Sequence, residues 1–177
     1  MIRLVGLLVL LVSCVPASGA EPYECGEDEV AAVVFFVLED CPVSNALVPE
    51  MERTVKKYSD KGVKFTYAYI NPKLEASAKE THVKEYGLTA ATVVDLKHQV
   101  VKKAGATVTP EAAIFRKDGT LAYCGRINNL YVGFGQKRQV VNEHDLREAL
   151  DAVLAGKSEI PKAKAKAVGC YIADYLK

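Results

Sequence analysis

Five cysteines, Cys14, Cys25, Cys41, Cys124 and Cys170, are the residues of this chain best suited to chemistry, and Cys41 has a context that would use it. It follows an apolar run, Val30 to Leu38, and the acidic break Glu39-Asp40. After it come Pro42 and a segment, Ser44 to Tyr58, that carries Leu47, Met51, Val55 and Tyr58 at helical spacing. Proline is tolerated only near a helix start, so the local order is strand, tight loop with cysteine, helix. The first amides of a helix have no intrahelical partner and its N-terminal end is electropositive, so a thiol there is biased toward the thiolate. Its place at the carboxyl end of a strand is where open α/β sheets bind ligands. The chemistry is nucleophilic: attack on a disulfide, or oxidation to a sulfenic acid. The plainer alternative for Cys41 is a half-buried residue that caps the helix or sits in a static bridge.

The elements that would position this thiol can be read along the chain. Val30 to Leu38 is apolar throughout, as a strand buried on both faces in the middle of a sheet should be. A second strand reads from Val63 to Ile70, closed by Asn71-Pro72, and a second helix from about Leu74 to Tyr86, ending at Gly87. Val93-Val94 and Gln99 to Ala104 read as a short extended piece and a short helix, leading into a turn-forming loop from Gly105 to Pro110. Glu111 to Arg116 and Leu121 to Ile127 are strands of a hairpin whose turn holds the favoured Asp118-Gly119 pair. Gly125 to Gly135, rich in glycine and aromatics, is expected to be a long loop, in which Arg126 could pair with a carboxylate near the active thiol. A last helix runs from Glu143 to Leu154 with Leu146, Leu150, Val153 and Leu154 on one side. Lys162 to Ala167 has no apolar periodicity and is expected to be a solvated linker before the tail, Val168 to Leu176. The class is α/β.

The stretch Phe35-Phe36-Val37-Leu38-Glu39-Asp40-Cys41-Pro42-Val43-Ser44-Asn45, followed by Val108-Thr109-Pro110-Glu111 and the Asp-Gly hairpin, resembles the thioredoxin-like redoxin family of alkyl hydroperoxide reductases and thiol-specific antioxidants. The resemblance runs from about Ala31 to Leu154. It implies a three-layer thioredoxin fold, a central mixed sheet flanked by helices. It also implies a thiol–disulfide oxidoreductase with Cys41 as nucleophile and a protein or small-molecule thiol or disulfide as partner, and no cofactor or metal is expected. In that superfamily the pair matching Thr109-Pro110 carries a cis peptide facing the active cysteine, and its backbone offers hydrogen bonds to the substrate chain.

Two departures sharpen the expectation. A dithiol motif would place a second cysteine where this chain has Ser44, and peroxiredoxins place a hydroxyl where it has Leu38. The closing Val168-Gly169-Cys170-Tyr171-Ile172 resembles a terminal motif that recurs with such domains, and it would bring Cys170 to Cys41 as the resolving thiol. Against this stands a bridge from Cys170 to Cys25, since four thiols beyond Cys14 allow three full pairings. Cys124 reads as a buried strand residue. Further alternatives are a thiol peroxidase, and a thioredoxin-like domain without turnover that binds a partner, or copper through Cys41, Cys170 and either His82 or His144. His98 reads as a surface or capping residue.

The start of the chain bears on compartment. Arg3, the apolar run Leu4 to Val12 and the small residues after it have the layout of a secretory signal over residues 1–20, too short to span a bilayer as a durable helix. Leu11-Val12-Ser13-Cys14 resembles a lipoprotein signal, with Cys14 acylated, while Ser18-Gly19-Ala20 resembles an ordinary cleavage site. Both patterns place the protein in the periplasm or cell envelope, and the first adds a lipid tether to a membrane. The expected organisation is a signal over 1–20, a domain over 21–156, and a linker with tail over 157–177. A net charge of +1 with interspersed signs provides no field to attract nucleic acid. The sequence does not specify an oligomeric state.

Overall fold

The apolar run forms β1, Ala31–Val37, in which every residue is buried. The computed structural model describes residues 21–172, so the leader and Cys14 lie outside the described residues. After β1 come α1 (Pro42–Tyr58), β2 (Val63–Tyr69), α2 (Ala76–Tyr86), β3 (Ala91–Val94) and α3 (Gln99–Ala104). The second half holds β4 (Val108–Thr109), β5 (Glu111–Arg116), β6 (Leu121–Gly125), β7 (Tyr131–Gly133), β8 (Gln136–Lys137), α4 (Asp145–Leu154) and β9 (Cys170–Tyr171). The main sheet has five strands in the order β3-β2-β1-β5-β6. β1 lies parallel to β2 and antiparallel to β5, so the sheet is mixed, with β1 central as its two buried faces require.

Helices flank this sheet. α1 and α4 pack against each other, where the Tyr58 hydroxyl donates to Asp151 Oδ1 at 2.8 Å and the buried Glu50 carboxylate meets Arg147 at 2.7 Å. Phe35 stacks on Phe65 with ring centroids 5.9 Å apart and tilts onto Tyr67 at 5.1 Å, filling the core beneath the middle strands. The hairpin turn is closed as its residues suggest, with the Thr120 amide donating to Asp118 Oδ1 at 2.9 Å.

Two segments differ from expectation. Gly125 to Gly135 is no open loop: β7 and β8 pair as a small antiparallel hairpin, and Arg126 is held by Asp145 at 2.7 Å and Glu143 at 2.6 Å. Lys162 to Ala167 is no solvated linker. The Cys124 amide donates to Ala163 O and the Arg126 amide to Ala165 O, each at 2.9 Å, so this segment runs along the outer edge of β6. Edge strands present unpaired backbone groups that attract such pairing. Gly125 admits it, because a Cβ there would lie 2.5 Å from Ala165 O. Gly125→Ala should therefore cost about 1–3 kcal/mol of stability, read as a lower denaturant midpoint.

Asp145 has a fully buried side chain at the start of α4. Burial raises its carboxyl, yet hydrogen bonds and charge from Arg126 and Lys162 outweigh burial and hold it below the ordinary carboxylate range. A depressed folded-state value means the stabilisation is present in full above the unfolded value of about 4 and is lost as pH falls through the lower folded one. Asp145→Asn should cost about 3 kcal/mol at pH 7, and the variant should lose less stability than the parent between about pH 4 and pH 2, measured by urea unfolding at both.

Candidate active site

Cys41 is the N-cap of α1, in extended backbone (φ −79°, ψ 112°), with Pro42 opening the helix and the Asn45 amide donating to Cys41 O at 3.0 Å. The first turn carries no acidic side chain to oppose the electropositive helix end. The loop before it is pinned from several sides. Asn45 Nδ2 donates to Glu39 O at 3.0 Å and Asn71 Nδ2 to Glu39 Oε1 at 2.7 Å. His82 Nε2 donates to Asn45 Oδ1 at 2.9 Å while its Nδ1 accepts from the Tyr69 hydroxyl at 2.7 Å, which fixes a neutral tautomer. Burial lowers the His82 pKa and keeps it neutral.

Around the sulfur the arrangement is tight. Cys41 is 1% exposed. Its S–H donates to Thr109 O at 3.4 Å, and the Cys170 S–H donates to it at 2.8 Å. Burial raises the Cys41 thiol, but hydrogen bonds to the sulfur from Cys170 and from the amide and hydroxyl of Ser44 outweigh it, so its pKa lies below the ordinary thiol value. The Ser44 hydroxyl is buried and makes no hydrogen bond of its own, and its nearness favours the Cys41 thiolate. The residue that the sequence marks as a missing second thiol thus favours ionisation of the first.

Cys170 is held there by backbone. β9 pairs antiparallel with β4, Cys170 opposite Thr109 and Tyr171 opposite Val108, and the Ile172 amide donates to Thr107 O at 3.0 Å. The Thr109–Pro110 peptide is cis. Glu111 steadies the loop ahead of it, its carboxylate accepting from the Thr107 amide at 2.6 Å and the Val108 amide at 3.2 Å. Cys41, Cys170, Thr109 and Pro110, four candidates drawn from three distant stretches of sequence, come together at one place. The alternative bridge from Cys170 to Cys25 is not the arrangement found.

The remaining candidates lie elsewhere. The Cys124 thiol is pushed up to about 12 by burial and by the Glu111 charge, and it lines a groove of about 840 Å³, bordered by residues 164–169, that Cys41 does not line. Burial and Glu29 raise the Cys25 thiol. His82 has both ring nitrogens engaged, His144 lies against Glu50 and Arg147 at the α1–α4 contact, and His98 is buried with Nε2 on Ile70 O at 2.6 Å rather than on the surface. Among the described residues no group of three or more His, Cys, Asp or Glu side chains is disposed to hold a metal ion.

The sequence profile of the AhpC/TSA family matches residues 23–124, more than half of the chain. The chain belongs to the AhpC/TSA family. The matched stretch carries Cys41 and Thr109-Pro110, and Cys170 lies beyond it. A search of curated proteins found none that matches. Among solved structures, a hypothetical protein of Sinorhizobium meliloti is 27% identical with a TM-score of 0.70, over 82% of this chain and 80% of that one. An uncharacterized conserved protein of Geobacillus kaustophilus is 27% identical with a TM-score of 0.68, over 81% and 77%. A protein of Neisseria meningitidis assigned as a thioredoxin is 18% identical with a TM-score of 0.56, over 74% and 79%, and it shows the fold, which is thioredoxin-like. Among the described residues of this AhpC/TSA protein no helix is long and apolar enough to cross a membrane.

Sequence reasoning missed the influence of Ser44 on the Cys41 thiol, the Asn45–His82–Tyr69 chain behind the loop, and Gly169. A Cβ on Gly169 would lie 1.9 Å from Thr109 O, so glycine is what lets the tail seat beside β4.

Proposed function

We propose that this AhpC/TSA member is an exported thiol–disulfide oxidoreductase in which Cys41 is the nucleophile and Cys170 the resolving thiol. The observation that carries the reading is the 2.8 Å separation of two sulfurs 129 residues apart in sequence, close to the ~2.05 Å of a disulfide bond. The Cys41 thiolate attacks one sulfur of a substrate disulfide, forming a mixed disulfide and releasing the first substrate thiolate. The Cys170 thiolate then attacks Cys41 Sγ, which closes the Cys41–Cys170 bond and releases the second substrate thiolate. Two electrons pass to the substrate, whose two sulfurs take up two protons. An external dithiol reverses the change in the protein.

Thr109 and Pro110 are the substrate-facing residues of this reading, with the Thr109 carbonyl already in contact with the Cys41 thiol. Export, with cleavage after Ala20 or acylation of Cys14, rests on residues 1–20 alone and is tested by the mature N-terminus recovered from the cell envelope. For the chemistry, reduced protein is mixed with one equivalent of a peptide disulfide. Two peptide thiols released per protein, with the protein lighter by two hydrogens, is the expected result; no release would overturn the proposal.

The lowered Cys41 pKa yields a further prediction. Alkylation of Cys41 by iodoacetamide should titrate at a lower pH than an ordinary thiol, with Cys124 unmodified at neutral pH. Ser44→Ala should move the Cys41 midpoint upward and slow alkylation at pH 7 by about three- to tenfold. An unchanged midpoint would mean that the hydroxyl does not serve the thiolate.

A further inference from the structure

β4 borders the Cys41 sulfur, and among the described residues its strand partner is the chain's own β9. The resemblance already implies that this edge, beside Thr109-Pro110, receives a substrate chain; we infer that the tail holds it in cis, so that a protein substrate enters only when the tail leaves, and that the edge selects extended peptides of the form glycine-cysteine-any residue-apolar residue. The inference rests on the reading of Cys41 as a thiol that exchanges with disulfides.

Each position of the pattern has its own observation. The residue opposite Thr109 is Cys170, whose sulfur reaches Cys41. The residue before it meets the Thr109 carbonyl so closely that a Cβ would stand 1.9 Å from the oxygen, which only glycine avoids. The residue after it, Tyr171, is 67% exposed, as alternation along a strand requires when its neighbour points inward, so identity there is unconstrained. The next, Ile172, is 1% exposed and donates its amide to Thr107 O, which calls for an apolar side chain on a peptide-bonded backbone. Main-chain pairing supplies affinity and the alternating side chains supply selectivity, the logic of strand addition. With Cys41 1% exposed beneath Cys170, an external chain and the tail cannot occupy the edge together, so Cys170 resolves the mixed disulfide once the substrate backbone has left β4 and the tail has returned.

The test uses the full chain in a Cys170→Ser background, which keeps the tail's backbone and removes its sulfur. Two routes release the tail: Gly169→Ala, through the clash with Thr109 O, and Ile172→Ser, through loss of the buried anchor. The probe is the peptide Val-Gly-Cys-Tyr-Ile as its mixed disulfide with thionitrobenzoate. Cys41 thiolate attacks the peptide sulfur, the peptide becomes disulfide-linked to Cys41, and coloured thionitrobenzoate leaves. Both release variants should react at least about tenfold faster than the Cys170→Ser parent, and replacing the peptide's glycine by alanine should remove at least about tenfold of that rate. Equal rates in parent and release variants, or equal rates for the two peptides, would overturn the inference. If Cys41 exchanges with neither peptide, nor with Ellman's disulfide in unmodified protein, the oxidoreductase reading itself fails. Rapid exchange without peptide preference removes only the peptide site.

Discussion

Cys41→Ser should reduce thiol–disulfide exchange by at least about 10³-fold, the largest single effect open to substitution in this protein. Cys41 alone combines a lowered thiol pKa, the N-cap position of a helix and contact with a second sulfur. Serine is nearly isosteric and can still donate to Thr109 O, so the fold should be retained and the denaturant midpoint should move by less than about 1 kcal/mol. The measurement is peptide-thiol release from a peptide disulfide alongside unfolding of the same preparations. Activity within about tenfold of the parent would assign the nucleophile to another residue, and Cys124, raised to about 12, is poorly fitted to take its place.

The second large effect is kinetic in shape. In Cys170→Ser the first attack by Cys41 remains, but among the described residues no other thiol contacts Cys41 to displace the second substrate thiolate. One peptide thiol per protein should be released in a burst, the other half of the substrate should stay linked to Cys41, and steady turnover should fall by about 10²-fold. Loss of the Cys170 hydrogen bond should also raise the Cys41 midpoint, because that contact helps hold the thiolate. The sign matters: the burst should be slower than in the parent at pH 7 and approach it as pH rises above the ordinary thiol range. Release of two thiols per protein with undiminished turnover would show that Cys170 does not resolve.

Part of the site is legible in the sequence alone, where local signals carry it. The uniform apolarity of Val30 to Leu38, the proline after Cys41 and the Asp118-Gly119 turn are local signals, and β1, α1 and the β5–β6 hairpin follow them closely. The meeting of Cys41 with Cys170 could be suggested only by resemblance, since spacing along the chain carries no information about a contact across 129 residues. Lys162 to Ala167 escaped for a different reason. Its attachment to β6 is made by backbone groups, and backbone pairing at an edge leaves no side-chain periodicity to detect. Gly125 and Gly169 look like any other glycines in sequence; what distinguishes them is the approach of Ala165 and Thr109, which only a folded chain reveals. Ser44 stands out in sequence for what it lacks, a second thiol, whereas its burial beside Cys41, which favours the thiolate, is visible only in the fold.

The central claim is a reversible bond between Cys41 and Cys170, and the measurement that tests it most directly is disulfide mapping by mass spectrometry under non-reducing conditions. Protein covering residues 21–177 is digested after isolation from an oxidising compartment, after reduction, and after one equivalent of hydrogen peroxide. The account predicts a Cys41–Cys170 cross-linked peptide in the oxidised samples, its loss on reduction and its return on reoxidation, with Cys25 and Cys124 unlinked throughout. A Cys41 that stays alkylatable in every sample while Cys170 is permanently joined to Cys25 would contradict it.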